Sequence, residues 1–243
     1  MREALPVIAV AAALVLIAVF MPALAPLFKA MFPDVVPPVF QFLSFPRLLL
    51  AHAEIAAAAS AAATAAALVA GIIATRERGR AFRPIVGASA AIGQTFPPVA
   101  VLAVAVPVLG YGELPTFVAL ALYGFMPVVA NVLAGIDSVP PSIKEAARGM
   151  GFGPTRILIE VELPLAAPAI LAGIRTMVAI TIGTATIGST VGAVTLGTPI
   201  IDGLVAGKLP YVIEGAVVVG LFAILADMAL ERLERHVGAW RRR

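Results

Sequence analysis

The chain has 243 residues, 61% of them hydrophobic and only 13% charged, with a mean hydropathy of +1.03; a soluble domain is about 45–50% apolar and about 25% charged. A water-soluble fold of this size must cover itself with polar surface, so the composition excludes a soluble enzyme, points to a membrane protein and leaves no room for an ATP-hydrolysing or solute-capturing domain. The net charge of +3 is not gathered on a soluble face as nucleic-acid binding would need; Cys is absent, and His52 and His236 stand far apart, so neither a thiolate nor a His-based metal site is expected.

The first uncharged run, 4–28, exceeds the roughly 20 residues that cross about 30 Å of hydrocarbon. Arg2 precedes it as in a signal peptide. The run is too long for such a leader and lacks an A-x-A exit before Lys29, so it is read as a retained span. The second span, 52–75, is mostly Ala with Ser60, Thr64 and Gly71, small residues that let helix backbones approach closely. His52, beside Glu54 at its outer end, is read as interfacial.

The third and fourth spans, 84–112 and 114–136, are interrupted by Pro97, Pro98, Pro107 and Pro127. Such breaks are tolerated where freed carbonyls face protein or a wet path. Gln94 and Thr95 put polar groups at a greasy depth, so Gln94 is expected to face the interior or a pathway. The fifth span, 163–190, carries Arg175, which needs either a partner such as Glu54 or Glu214 or a role in contacting solute. The sixth, 209–230, is apolar but for Glu214 and Asp227 near its ends. All six are expected to be helical.

Topology follows from Lys and Arg in the connecting segments. The N-terminus, 76–83, 137–162 and the C-terminal tail hold thirteen of the 17, and the opposite loops hold only Lys29, Arg47 and Lys208. Both termini are therefore expected on the cytoplasmic side, with the basic tail an anchor near anionic lipid.

The connection 137–163 is the informative loop. Pro140-Pro141 ends the preceding span, and Ser142-x-x-Glu145 reads as a capping box that starts a short amphipathic helix. Gly149 and Gly151 end that helix, and Gly153-Pro154-Thr155 opens a second one toward Val161-Glu162-Leu163-Pro164. Two short helices about a glycine turn form a rigid knob outside the membrane.

These residues carry a resemblance. Glu145-Ala146-Ala147, Gly151 after three residues and Val161-x-Leu163-Pro164 after nine more are similar to the EAA motif of type I ABC importer permeases, with Val161 in place of Ile. The resemblance implies an all-α, six-span, MetI-like fold in which 1–243 is one permease domain and the knob supplies cytoplasmic coupling helices. It implies as partners a second permease copy or paralogue, two ATPase subunits carrying ATP and Mg, and an extracytoplasmic binding protein. It also implies that this chain holds no cofactor and sits in a bacterial inner membrane, and that Glu145, Ala146, Ala147, Gly151, Val161, Leu163 and Pro164 couple to the ATPase.

Gly93-Gln94-Thr95-x-Pro97, the stretch 108–112, the stretch 131–137 and Ala172-Gly173-Ile174-Arg175-Thr176 resemble the osmoprotectant branch, which carries glycine betaine, choline or proline betaine. That branch has Gly-Ala-Gly-Gly-Leu-Gly after span five; here it is Gly192-Ala193-Val194-Thr195-Leu196-Gly197, with two glycines replaced. Gln94, Thr95, Pro97, Tyr123, Asn131, Arg175, Thr181 and Thr184 are the expected translocation path. Its low charge suits a compact net-neutral zwitterion better than a phosphate or a dication, and other small zwitterions such as amino acids fit the same polarity. A secondary transporter would show inverted repeats and a mid-depth ion site, an enzyme a catalytic cluster, and a channel would leave the knob unexplained.

Overall fold

Backbone groups in hydrocarbon must bond within their own segment, and every regular element among the described residues is helical. The computed structural model describes residues 5–93 and 97–237, with side chains outside 89–93. In chain order, α1 (Leu5–Phe20) continues through a tight turn into α2 (Ala25–Met31), followed by α3 (Phe45–Thr75), α4 (Arg83–Gly93) and α5 (Pro98–Leu109). Then come α6 (Glu113–Asp137), α7 (Pro141–Gly149), α8 (Pro154–Ile157), α9 (Leu163–Ala185), α10 (Gly197–Ala206) and α11 (Leu209–Val237). Among the described residues, five helical stretches are long and apolar enough to cross a membrane: Leu5–Met31, Phe45–Thr75, Glu113–Asp137, Pro154–Val191 and Leu209–Val237.

The predicted run 84–112 is two shorter helices, α4 and α5. Pro97 is extended, at φ −64° and ψ 133°, because the ring of Pro98 disfavours helical geometry in the residue before it. α5 then restarts with Pro98 in its first turn, where a missing N–H costs nothing. Pro107 and Pro127 are single prolines and lie inside α5 and α6. The predicted fifth span also differs: helix begins at Pro154, tightens to a 3-10 stretch over Thr186–Val191, and is followed by the separate α10.

The chain divides into two compact units. One comprises the described residues of Met1–Ala59, Pro97–Ala121 and Val178–Ala229. Its core is built from Leu14, Met21, Phe28, Phe40, Phe45, Leu48, Leu196, Tyr211 and Val218. The segment before α3 is fastened to the start of α11: Lys208 Nζ donates to the Val36 carbonyl at 2.9 Å, the Tyr211 hydroxyl to the Pro37 carbonyl at 3.2 Å, and the Phe40 amide to Glu214 Oε2 at 3.0 Å.

His52 is not interfacial. It is fully buried, its Nδ1 accepts from the Leu196 amide at 3.2 Å, and its Nε2 lies 3.0 Å from the Ile182 carbonyl. This pairing assigns the proton to Nε2. A buried imidazole with both nitrogens used is a structural tie among α3, α9 and the turn before α10.

That turn explains which glycines survive in 192–197. Gly192 is left-handed at φ +86°, and a Cβ on Gly197 would lie 2.0 Å from the Thr186 carbonyl oxygen, so neither admits a side chain. The two positions without glycine use their side chains: Thr195 Oγ1 accepts from the Gly197 amide at 2.9 Å and bonds Ser189 at 2.8 Å, and Val194 packs on the core.

The other unit comprises the described residues of Ser60–Phe96, Leu122–Met177 and Leu230–Arg243. Here the Ala-rich part of α3 buries Ala63, Ala67 and Ala74. A Cβ on Gly71 would sit 2.5 Å from Val132 Cγ1, and one on Gly173 would sit 2.6 Å from Asn131 Cβ. Small residues thus let α3 and α9 press closely on α6, as expected where lipid gives no hydrophobic drive for association.

Candidate functional site

The EAA-like residues all fall in the second unit, around α7 and the head of α9. α7 does not start from the predicted capping box. Its N-cap is Pro140, no side-chain oxygen caps it, and the Pro140 carbonyl accepts from the Ile143 amide at 3.1 Å. Pro141 at the first helical position is preorganised for the turn, which leaves Ser142 two residues inside the cap position.

The helix ends as the glycines predict, with Gly151 as the decisive one. The Gly151 amide donates to the Arg148 carbonyl at 2.9 Å and the Phe152 amide to the Ala147 carbonyl at 3.0 Å. With Gly151 at φ +81° this is a Schellman motif, whose left-handed residue favours glycine. Gly153, by contrast, has φ −73°.

After the turn the second helix is not a separate piece. α8 runs through a wide turn over Leu158–Glu162 directly into α9, and the Leu163 amide reaches back five residues to the Leu158 carbonyl. Pro164, having no N–H, cannot bond the Glu160 carbonyl as a regular helix requires, and the widened turn precedes it. α7 packs against α8 and this turn.

Among the motif residues, Ala147 is 2% exposed and fixes the inner face of α7. Glu145 and Ala146 are exposed, Val161 and Leu163 half-buried, and Pro164 exposed. Ile143 and Met150 add apolar surface, at 41% and 68% exposure. The outer face of α7 is thus a short apolar strip flanked by Glu145 and Arg148.

The residue the sequence reading passed over is Glu162. It is 5% exposed, its Oε2 lies 2.6 Å from Arg76 Nη1, and its Oε1 lies 3.7 Å from Lys144 Nζ. One buried carboxylate therefore ties the segment after α3, α7 and the head of α9. Such a carboxylate is stable only with its charge matched. Its motif position accepts any residue, so the pattern gave no signal; a carboxylate two residues after another, Glu160, beside an apolar run, was the available clue. Nearby, Arg83 pairs with Asp137 and ties the start of α4 to the end of α6.

The expected path residues divide between the units. Pro97, Thr181 and Thr184 belong to the first, and Tyr123, Asn131 and Arg175 to the second; Gln94 and Thr95 lie outside the described residues. Asn131 Nδ2 donates to the Pro127 carbonyl at 2.8 Å, one helical turn earlier. Thr181 is buried and Tyr123 and Thr184 half-buried. Arg175 finds carboxylates other than the expected Glu54 and Glu214. Its guanidinium lies 3.7 Å from Glu231 and 3.6 Å from Glu234 on α11, while Glu214 is engaged by the Phe40 amide.

The arrangement around α7 is mechanical: an exposed helix on a stiff turn, locked by a buried ion pair to two longer helices. Comparison with known proteins identifies the family. Residues 67–239 match the family described as "Binding-protein-dependent transport system inner membrane component". The chain is 41% identical over 160 residues to the osmoprotectant import permease protein OsmY of Salmonella typhimurium, covering 66% of this chain and 68% of that protein. It is 43% identical over 142 residues to the choline transport system permease protein OpuBB of Bacillus subtilis (58% and 65%). Over 156 residues it is 41% identical to the glycine betaine/carnitine/choline permease protein OpuCB of Bacillus subtilis (62% and 72%). In fold it is similar to a chain of the inward-facing MetNI methionine ABC transporter, with a TM-score of 0.69 at 20% identity over 79% of this chain and 95% of that one.

Proposed function

The chain belongs to the family of binding-protein-dependent transport system inner membrane components, and from that membership we propose that it is the permease subunit of an ATP-driven importer of osmoprotectants such as glycine betaine and choline. The observation that carries this reading is the locked α7: an exposed helix of nine residues, ended by Gly151 and clamped through Glu162, in a chain whose relatives bear osmoprotectant permease names. In this reading α7 docks in a groove of an ATPase subunit through Ile143, Ala146 and Met150. ATP-driven movement of that subunit then passes through Glu162 into α9 and through Arg76 into α3. ATP and Mg belong to the ATPase pair, a separate extracytoplasmic protein delivers the solute, and a second copy or paralogue completes the pore.

We place six crossings in the bacterial inner membrane, with both termini and α7 on the cytoplasmic side. Thirteen of 17 basic residues favour that side. The loops assigned to one face also meet: Arg76 with Glu162 and Arg83 with Asp137, and elsewhere Lys208 with Val36. Arg83 lies at one end of α6, and the chain must reach Glu113 at its other end, about 36 Å away at 1.5 Å per residue. The stretch α4–α5 supplies that crossing as a broken span. Breaks of this kind line solute paths, and Gln94, Thr95, Pro97, Tyr123, Asn131, Thr181 and Thr184 are assigned to ours, with Arg175 at its edge.

The test is solute uptake by cells that lack their own osmoprotectant uptake and express this chain with its ATPase and binding protein. Labelled glycine betaine or choline is expected to accumulate. Accumulation of an amino acid with neither of these carried would overturn the substrate class and leave the permease reading intact.

A further inference from the structure

Beside α7, on the side away from its apolar strip, the second unit holds a cleft of about 630 Å³, of whose charges the transport reading uses only Arg76, Lys144 and Glu162. Three segments converge on it. The turn after α3 supplies Arg76, Arg78 and Arg80, and α7 supplies Lys144 and Arg148. Phe152, Pro154 and Ile157 form an apolar wall. Only Glu77 and Glu162 oppose the five cations, and Glu162 is already committed to Arg76 and Lys144. Arg78, Arg80 and Arg148 therefore face the cleft with one carboxylate among them.

The cationic turn is rigid. The Arg76 amide donates to the Ile73 carbonyl at 3.0 Å and the Gly79 amide to the Arg76 carbonyl at 3.0 Å. A Cβ on Gly79 would lie 2.0 Å from the Ile73 oxygen, so the turn is pressed against the end of α3. Topology alone asks only that basic residues be numerous on one side; it does not ask that three segments aim them into one concavity. Guanidinium groups held in this way suit phosphate oxygens, which they bind in paired hydrogen bonds.

We propose that the cleft binds a phosphate-bearing anion and that its occupant in the membrane is an anionic phospholipid headgroup. Depth favours the lipid over a soluble phosphate. The cleft is lined by Thr75, the last residue of α3, a helix long and apolar enough to cross the membrane, and by Pro154 and Glu162 in the charged head of the stretch that runs into α9. It opens where hydrocarbon gives way to headgroups, and its apolar wall suits the glycerol and first methylenes. Basic pockets at the ends of spans bind anionic headgroups by this chemistry. Because Lys144 and Arg148 lie on α7, an occupied cleft also fastens α7 to the turn after α3. The inference holds whatever solute is carried.

The test is lipid retention by the intact chain in its transporter complex, purified in neutral detergent and titrated with phosphatidylglycerol, phosphatidylcholine or inorganic phosphate alone. Wild type is expected to retain phosphatidylglycerol saturably and phosphatidylcholine weakly. R78Q/R80Q is expected to lower the phosphatidylglycerol affinity about thirtyfold, and R78K/R80K, which keeps the charge but loses the paired hydrogen bonds, to fall between wild type and R78Q/R80Q. Equal affinity in wild type and R78Q/R80Q, or equal retention of phosphatidylcholine, would overturn the site. Displacement by inorganic phosphate at comparable concentration would overturn the lipid as occupant. Protection of Arg78 and Arg80 by the ATPase subunit alone, with no lipid dependence, would make the surface a protein contact and overturn the proposal.

Discussion

Glu162 is the residue on which the second unit turns, since one side chain answers cations from two other segments. Removing it leaves Arg76 and Lys144 facing each other without their shared anion; both are partly exposed and can rehydrate, so the loss is about 1–2 kcal/mol rather than that of a fully buried break. Glu162→Ala is expected to leave the protein in the membrane at normal level and to cut uptake by about tenfold. Unchanged uptake at equal expression would show that the clamp transmits nothing. Residues of this kind were hard to read from sequence. Glu162 occupies a free position of the motif, and Arg175 found Glu231 and Glu234 because hydropathy locates a residue along its own helix but not across to its neighbours. The capping box failed for a local reason, the proline pair moving the helix start two residues back from Ser142. Gly151 was legible because a left-handed helix end calls for glycine.

At the scale of elements, two glycine pairs separate conformational need from mere occurrence. A side chain at Gly151 would have to sit at φ +81°, which costs an L-residue about 1–2 kcal/mol, whereas Gly153 at φ −73° is in ordinary extended backbone. Gly151→Ala is expected to lower uptake severalfold and Gly153→Ala to leave it unchanged; equal effects would remove the turn from the coupling path. In the first unit, Gly197→Ala drives a Cβ against the Thr186 carbonyl, while Gly183 has open space around it. Overpacking costs about 1–3 kcal/mol, so Gly197→Ala is expected to lower the melting temperature of the purified chain by several degrees, with Gly183→Ala at or above wild type. A Gly197→Ala protein as stable as wild type would contradict the close approach. Uncharged runs found the long helices, because burying an uncompensated charge in lipid is costly. They did not divide 84–112 into α4 and α5 or set off α10, since hydropathy averages across a proline pair and across a polar turn that packs on itself.

At the scale of the whole molecule, the proposed permease has α7 facing the cytoplasm. The sequence contains no Cys, so single cysteines report sidedness without background. Ser142→Cys is expected to react with an impermeant thiol reagent only in inside-out vesicles and Asp34→Cys only in intact cells; the reverse pattern would invert the topology. The most direct measurement is accumulation of labelled glycine betaine or choline in proteoliposomes that hold this chain and its ATPase, with α7 inside and the binding protein outside. The account predicts accumulation only with ATP and Mg in the lumen, abolished when Met150→Asp disrupts the exposed strip of α7. Uptake that proceeds without luminal ATP, or that is untouched by Met150→Asp at equal incorporation, would contradict it.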